Sequence, residues 1–208
     1  HTAADRDMPA WHNVAVLRDD GSDIRKVFSG TIPQHKGANG VRWMCFADNK
    51  RVALGDYILE CSPDIDHCER AELIPLMYPD ALMQAGDVVC HWSEIIIAPD
   101  NAHLCWTTLT TRGARNYLGK LRREAEGYVL EDVCIVSSIV DYLPDPAHAG
   151  YATAQPVRGG EVKQFVHGGK ALALVGHGNS ITDSVVQPLK SAEIIQITDT
   201  PGYEETTI

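Results

Sequence analysis

Three features of the sequence predict an all-β architecture of four-stranded antiparallel units arranged around an axis. The first is a repeated hairpin pattern, in which an apolar run, a two-residue Asp, Asn or Gly turn and a second apolar run follow one another. The second is that two more strand-like runs follow each hairpin. The third is that prolines punctuate the gaps between the units, where helices and long strands are disfavoured. Radial repetition of such units is β-propeller architecture, and we therefore predict a β-propeller.

The first predicted element is a two-stranded hairpin that lacks the first two strands of a unit. Residues 11–29 contain two strand-like runs around the turn Asp19-Asp20-Gly21-Ser22. These runs correspond to the third and fourth strands of a unit, and no hairpin of the repeated type precedes them. We therefore predict half a blade at residues 11–29.

Three copies of the hairpin then begin three whole units. Their turns fall at Asp48-Asn49, Asp100-Asn101 and Gly168-Gly169, and both Asn and Gly tolerate the left-handed backbone of a tight turn. Together with the runs that follow, these hairpins predict blades at about 41–77, 93–137 and 161–198. A short helix is expected within 79–84, and residues 203–208 correspond to the start of a further copy.

The predicted propeller is partial, with about three and a half blades across residues 1–208. The smallest closed propellers have about four blades, and soluble proteins avoid open strand edges. Three explanations stay open: a second chain or a missing segment completes the propeller, the chain pairs with a copy of itself, or its ends are capped. We favour the first, which predicts a completing segment as a partner.

One of the hairpin turns carries a family resemblance. Ala98-Pro99-Asp100-Asn101 resembles the Ser-Pro-Asp-Gly turn of TolB-type, WD40-like β-propellers. The other two copies depart from that pattern, because Ala47-Asp48-Asn49 lacks the proline and Val166-His167-Gly168-Gly169 keeps only the final glycine. As a pattern the resemblance covers residues 11–208. It implies a fold and leaves the activity open, because one fold hosts many functions.

The composition excludes two classes of partner. The net charge of −10 over 208 residues argues against a nucleic-acid surface, which needs clustered Lys and Arg. No apolar run approaches the roughly 18 residues that a membrane-spanning helix requires. We therefore expect a soluble, acidic protein, and the sequence does not choose between a cytoplasmic and a secreted location. Four of the six cysteines lie in or beside apolar runs and are expected to be buried: Cys45, Cys90, Cys105 and Cys134.

The candidate ligand-binding residues are those expected at one end of the propeller. The connections between blades and the loops between second and third strands gather at the mouth of the central channel, and long loops on a rigid scaffold are common binding sites. Arg112 and Arg115 flank one such loop and are suited to gripping a carboxylate or phosphate in forked geometry. The ligand-binding prediction comprises His91, Trp92, Arg112, Arg115, His177 and Asn179. Further residues expected at this face are His35, Asp56 and Arg158.

Other conspicuous side chains are expected elsewhere. His103 and His167 lie at hairpin turns and should face the opposite end of the propeller. Trp43 and Trp106 are expected to pack between blades. The nucleophile motif Gly-x-Ser-x-Gly, dinucleotide loops and phosphate loops do not occur in the sequence.

Three functional interpretations follow. The first is a scaffold that binds a partner or a small ligand, such as a carbohydrate, at the channel face. The second is a metal-dependent lyase or hydrolase similar to oligogalacturonate lyase, in which His91 and His177 would hold a divalent metal that polarises an acidic sugar. The third is the gating propeller of a prolyl-oligopeptidase-like hydrolase.

Overall fold

The protein is β-structured almost throughout the residues that the structure describes. The computed structural model describes residues 10–33, 43–83, 86–90, 95–139, 158–178 and 181–199. Within them the chain forms fifteen strands and one short helix, α1 (Asp80–Met83), at the place where the sequence predicts a helix. No helix among the described residues has the length and apolar character needed to cross a membrane.

The strands group into a two-stranded hairpin and three larger antiparallel units. The hairpin unit consists of β1 (Ala10–Val16) and β2 (Arg25–Ile32). The first unit consists of β3 (Trp43–Cys45), β4 (Arg51–Leu54), β5 (Tyr57–Ser62) and β6 (Arg70–Met77). The second unit consists of β7 (Val88–Cys90), β8 (Ile95–Ile97), β9 (His103–Thr110), β10 (Gly113–Arg123) and β11 (Tyr128–Ser138). The third unit consists of β12 (Arg158–Val166), β13 (Ala171–Gly178), β14 (Ile181–Pro188) and β15 (Ile195–Gln196).

The predicted hairpin turns are confirmed. Strand β3 pairs with β4, β8 with β9 and β12 with β13, each across one of the three repeated turns. Asn49 and Asn101 adopt φ angles of 55° and 57°, and Gly168 and Gly169 adopt 65° and 83°. These are left-handed conformations, which explains why the turn positions carry Asn or Gly.

Each unit packs on the next through alternate residues of its strands. In the second unit Leu104 and Trp106 face the first unit, whereas Cys105 between them faces the third. The side chains of a strand point alternately to its two faces, so one strand supplies two cores. The third core lies between the hairpin unit and the first unit and contains Ile32 and Leu59. The units are therefore stacked face to face in chain order.

The strands that precede the three repeated turns, β3, β8 and β12, lie side by side in this stack. The Ile97 N–H in β8 donates to the Met44 sulfur in β3 at 3.2 Å. A cleft of about 280 Å³ opens between these strands and is lined by residues of β3, β8 and β12 such as Cys45, Ile96 and Gln164. At the outer edge, two parallel residue pairs between β6 and β11 join the first and second units into one nine-stranded sheet.

The structure corrects several details of the sequence prediction. The predicted connection between the first two blades contains an additional strand, β7, which pairs with the end of β9. The blade predicted over 161–198 ends in a very short strand, β15, because both of its residues are exposed and have no core to bury. Cys45 and Cys134 are exposed although their apolar neighbours predict burial. Trp106 is buried as predicted, but Trp43 is 71% exposed.

Candidate ligand-binding face

The candidate face lies at the end of the strands opposite the repeated turns. Strand β9 runs from the turn at Asn101 to Thr110, and Arg112 follows in the tight loop before β10. His103 therefore lies at the other end of β9, where its Nδ1 is 2.6 Å from an oxygen of Asp100. His167 lies in a repeated turn with a φ angle of 53°. Both histidines lie at the end opposite Arg112, as the topology predicts.

Half of the predicted ligand-binding residues lie outside the described residues. These are His91, Trp92 and Asn179. His35, which was also expected at this face, lies outside the described residues too. His177 lies in β13 opposite Arg158, and its side chain is not described. Arg112, Arg115, Asp56 and Arg158 are described and provide the geometry that follows.

The central feature of the face is a forked ion pair between Arg115 and Asp87. The two terminal nitrogens of Arg115 donate to the two carboxylate oxygens of Asp87 at 2.7 and 3.3 Å. The backbone is fixed as well, because the Thr111 N–H donates to the Asp87 carbonyl at 2.9 Å. Forked Arg–carboxylate pairs are directional and stronger than neutral hydrogen bonds. The forked guanidinium of Arg115, which was expected to grip a ligand, pairs with the chain's own Asp87 in this structure.

The positive charges around Asp87 determine its protonation. The hydrogen bond from Arg115 is the main cause that lowers the pKa of the Asp87 carboxyl below its ordinary value, and the charges of Arg115 and Arg112 add to this effect. The same hydrogen bond raises the pKa of Arg115. Asp87, Arg112 and Arg115 together carry one formal positive charge on a chain whose net charge is −10.

An aromatic stack supports the arginine from the core. The ring of Tyr117 stacks on Trp106 with centroids 5.4 Å apart, and Tyr78 meets Trp106 edge-on at 5.3 Å. Tyr117 also contacts Arg115. Burial, with a contribution from the negative charge of Asp56, raises the pKa of Tyr78 well above its ordinary value. The Tyr78 phenol therefore stays protonated at neutral pH and is not suited to act as a base.

A buried polar bridge attaches the third unit beside this stack. The Thr107 hydroxyl donates to the Asn116 side-chain oxygen at 2.7 Å and accepts the Val162 N–H at 3.1 Å. The Asn116 amide donates to the Gly160 carbonyl. These bonds fix the start of β12, and with it the position of Arg158. A buried polar group without a partner is costly, so the bridge holds the two units in one register.

Asp87 and Asn116 are not among the site residues predicted from the sequence. Asp87 follows a glycine in a stretch expected to be a connection, and nothing in its neighbourhood pairs it with an arginine 28 residues later. Asn116 lies inside a strand and is fully buried, a position that favours apolar residues. An asparagine within an apolar strand run could have indicated this contact, since a polar residue in a buried strand usually has a specific hydrogen-bond partner.

The described residues contain no group of three or more His, Cys, Asp or Glu side chains placed to hold a metal ion. The predicted metal ligands His91 and His177 do not enter this comparison, because their side chains lie outside what the structure describes.

Comparison with known proteins identifies the fold. No family model matches the chain, and no curated protein matches it. Among solved structures, the chain is similar to the putative TolB from Agrobacterium tumefaciens, with a TM-score of 0.52 and 12% sequence identity. The match covers 93% of this chain and 56% of that one, so the chain spans little more than half the length of its structural neighbour. Together with the stacked antiparallel units, this similarity shows that the chain is a partial β-propeller with a TolB-type fold.

Proposed function

We propose that the chain is a β-propeller scaffold that binds an anionic partner or small ligand at the face around Arg112 and Arg115. The proposal is supported by two guanidinium groups whose charges act on the single carboxylate of Asp87. They leave a local excess of positive charge on a chain whose net charge is −10. A bound carboxylate or phosphate would gain charge-assisted hydrogen bonds there. We also place the predicted His91, Trp92, His177 and Asn179 at this site.

A completing segment is the second part of the proposal. We assign the blades to residues 41–77, 93–137 and 161–198, with half a blade at 11–29. The predicted start of a further blade at 203–208 lies outside the described residues and stays a prediction. Another chain or segment then supplies the remaining strands. The similarity to the putative TolB supports this view, because that protein extends well beyond the matched region.

The two enzymatic interpretations stay predictions. The lyase-like one needs a divalent metal held by His91 and His177, whose side chains lie outside what the structure describes. The gating interpretation needs a catalytic domain elsewhere. No observation among the described residues favours either over a binding scaffold.

The anion site is tested with inorganic phosphate and citrate as probes. We expect calorimetric titration to detect binding, and we expect Arg112→Gln to weaken it at least tenfold, since hydrogen bonds to charged groups contribute about 1.5–3 kcal/mol. Arg70→Gln is the matched control, because Arg70 is an exposed arginine paired with Glu72 beside the loop between β5 and β6. Equal weakening by both substitutions, or no binding by the parent chain, would refute the site.

The presence of a segment that completes the propeller is tested by measuring the intact mass, under denaturing conditions, of the protein isolated from its source. A second polypeptide species, or a single species longer than this chain, is expected. One species of 22.8 kDa alone would contradict completion by another segment.

A further inference from the structure

A groove runs along the inner edge of β1, between the hairpin unit and the first unit. Its volume is about 400 Å³. Five consecutive residues of β1, 12–16, line it. His12, Val14 and Val16 face the first unit, whereas Asn13 and Ala15 face away and are exposed. Neighbouring residues of a strand point to opposite faces, so all five can line only a groove that follows the strand's backbone edge.

That edge of β1 pairs with no other described strand. β1 pairs with β2 alone, over the whole register from Ala10 to Val16. Strand β14, which holds the corresponding place in the third unit, pairs with β13 on one side and β15 on the other. An unpaired edge presents a row of backbone donors and acceptors that accept a further strand.

The floor of the groove is exposed at positions that are buried in the other units. Trp43, Ile95 and Val162 occupy the same place in the three repeated hairpins, because they pair with the corresponding residues Leu54, Trp106 and Leu174 of the next strands. Ile95 is 6% exposed and Val162 is fully buried, whereas Trp43 is 71% exposed. Ile95 and Val162 pack in the cores shared with the preceding units, whereas the described hairpin unit has no strand beyond β1 to cover Trp43.

We propose that the groove receives a β-hairpin of the repeat type, which adds two strands to the free edge of β1 and covers Trp43 and Cys45. This proposal rests on the proposed completion of the propeller and names the surface where the completing segment docks. The groove is continuous with the existing core between the hairpin unit and the first unit, where Ile32 and Leu59 are fully buried.

The lining of the groove defines the chemistry of its occupant. The walls are apolar side chains of both units, including Val27, Val52 and Leu54. A docked strand would bury apolar side chains at alternate positions and exchange backbone hydrogen bonds with β1, the usual mode of strand addition.

The first test uses the chain as it stands. Alkylation with iodoacetamide, followed by peptide mass analysis, should modify Cys45 as well as Cys134, which is also exposed but lies in the second unit. Burial raises the pKa of the Cys45 thiol, so Cys45 should react more slowly than Cys134 but still to completion. Hydrogen exchange should be fast at the amides of β1 that do not pair with β2. Resistance of Cys45 to alkylation together with protected β1 amides would show that the groove is already covered, by a second copy if the native mass is that of a dimer, and would overturn the proposal.

The second test supplies the hairpin. A copy of residues 158–180 is joined directly ahead of Ala10, so that it precedes β1 as β12 and β13 precede β14. The leucines equivalent to Leu172 and Leu174 are replaced by threonine in this copy, because they would face solvent. We expect at least a tenfold slower alkylation of Cys45 with Cys134 unchanged, and protection of the outer edge of β1. A folded graft, shown by buried Trp106, that leaves Cys45 and β1 unprotected would refute the proposal.

Phosphate titration of the same two proteins separates this proposal from the proposed function. Binding that depends on Arg112 in both proteins, without protection of β1 in the graft, would leave the anion site standing and remove the groove. Protection of β1 without phosphate binding would support the groove and remove the anion site.

Discussion

At the scale of single residues, the candidate face depends on the carboxylate of Asp87. Its side chain is 33% exposed and that of Arg115 is 21% exposed, so water screens the pair only in part. The surrounding guanidinium groups hold the pKa of Asp87 below 3.8, its ordinary value. The fork therefore keeps Asp87 charged across the neutral and mildly acidic range.

The lowered pKa of Asp87 predicts a pH dependence of stability. A carboxyl with a lower pKa in the folded state adds stability above its unfolded pKa and loses it as the pH falls through its folded pKa. Asp87→Asn should therefore lower the melting temperature at pH 7, and the difference from the parent should shrink as the pH falls below 3.8 and vanish once the pH is below the lowered pKa of Asp87 in the folded protein. Thermal melts from pH 2 to pH 7 measure this.

The control for this prediction is Asp23→Asn. Asp23 pairs with Arg18 at 3.4 Å, and both side chains are about 70% exposed. Exposed pairs contribute little, so its melting curve should follow that of the parent at every pH. A difference for Asp87→Asn that persists at pH 2 would contradict the assigned role of the ion pair.

At the scale of elements, the repeated turns also connect neighbouring units. The side-chain oxygen of Asn101 accepts the Ala47 N–H at 2.7 Å, and its carbonyl accepts from Arg51 at 3.0 Å. Arg51 in turn pairs with Asp48 at 2.7 Å within its own turn. One asparagine therefore closes its own hairpin and binds the preceding one.

Two substitutions at Asn101 separate these roles. Asn101→Gly keeps the left-handed backbone and removes the bond to Ala47, and we expect a loss of about 0.5–1.5 kcal/mol in the free energy of unfolding. Asn101→Ala removes the same bond and keeps a Cβ at a φ angle of 57°, without the local hydrogen bonding that lets Asn tolerate this conformation, so the alanine variant should lose about 1 kcal/mol more than the glycine variant. Urea titration measures both changes. Equal losses for the two variants would show that backbone strain contributes nothing at this turn.

The sequence predicted elements better than it predicted the site. The turns at Asn49, Asn101 and Gly168 were predictable because local backbone conformation restricts the residue type there. The exposure of Trp43 was not, because it depends on how many strands the adjacent unit supplies. The pairing of Arg115 with Asp87 also escaped prediction, since nothing local to either residue encodes a contact made across a connection.

At the scale of the whole molecule, face-to-face stacking makes stability a property of neighbouring pairs of units. Each unit buries its faces only against the units next to it, as in other repeat proteins. The hairpin unit has two strands and a single neighbour among the described units, and isolated two-stranded sheets are marginal. It is therefore expected to be the least stable part of the described structure.

Two substitutions in different cores test this order of stability. Ile32 lies in the core under the hairpin unit and Leu104 in the core between the first and second units, and both are fully buried. Truncation to alanine costs about 2–5 kcal/mol at such sites.

We expect Ile32→Ala to release β1 and β2 to proteolysis while Trp106 stays buried, because the other cores are intact. We expect Leu104→Ala to lower the main unfolding transition, because it weakens the contact of two units at once. Limited proteolysis, with hydrogen exchange of the β9 amides around Trp106 as the readout of the other cores, distinguishes these outcomes. A single cooperative loss of all structure in Ile32→Ala would show instead that the hairpin unit is as strongly coupled to the stack as the three larger units are to one another.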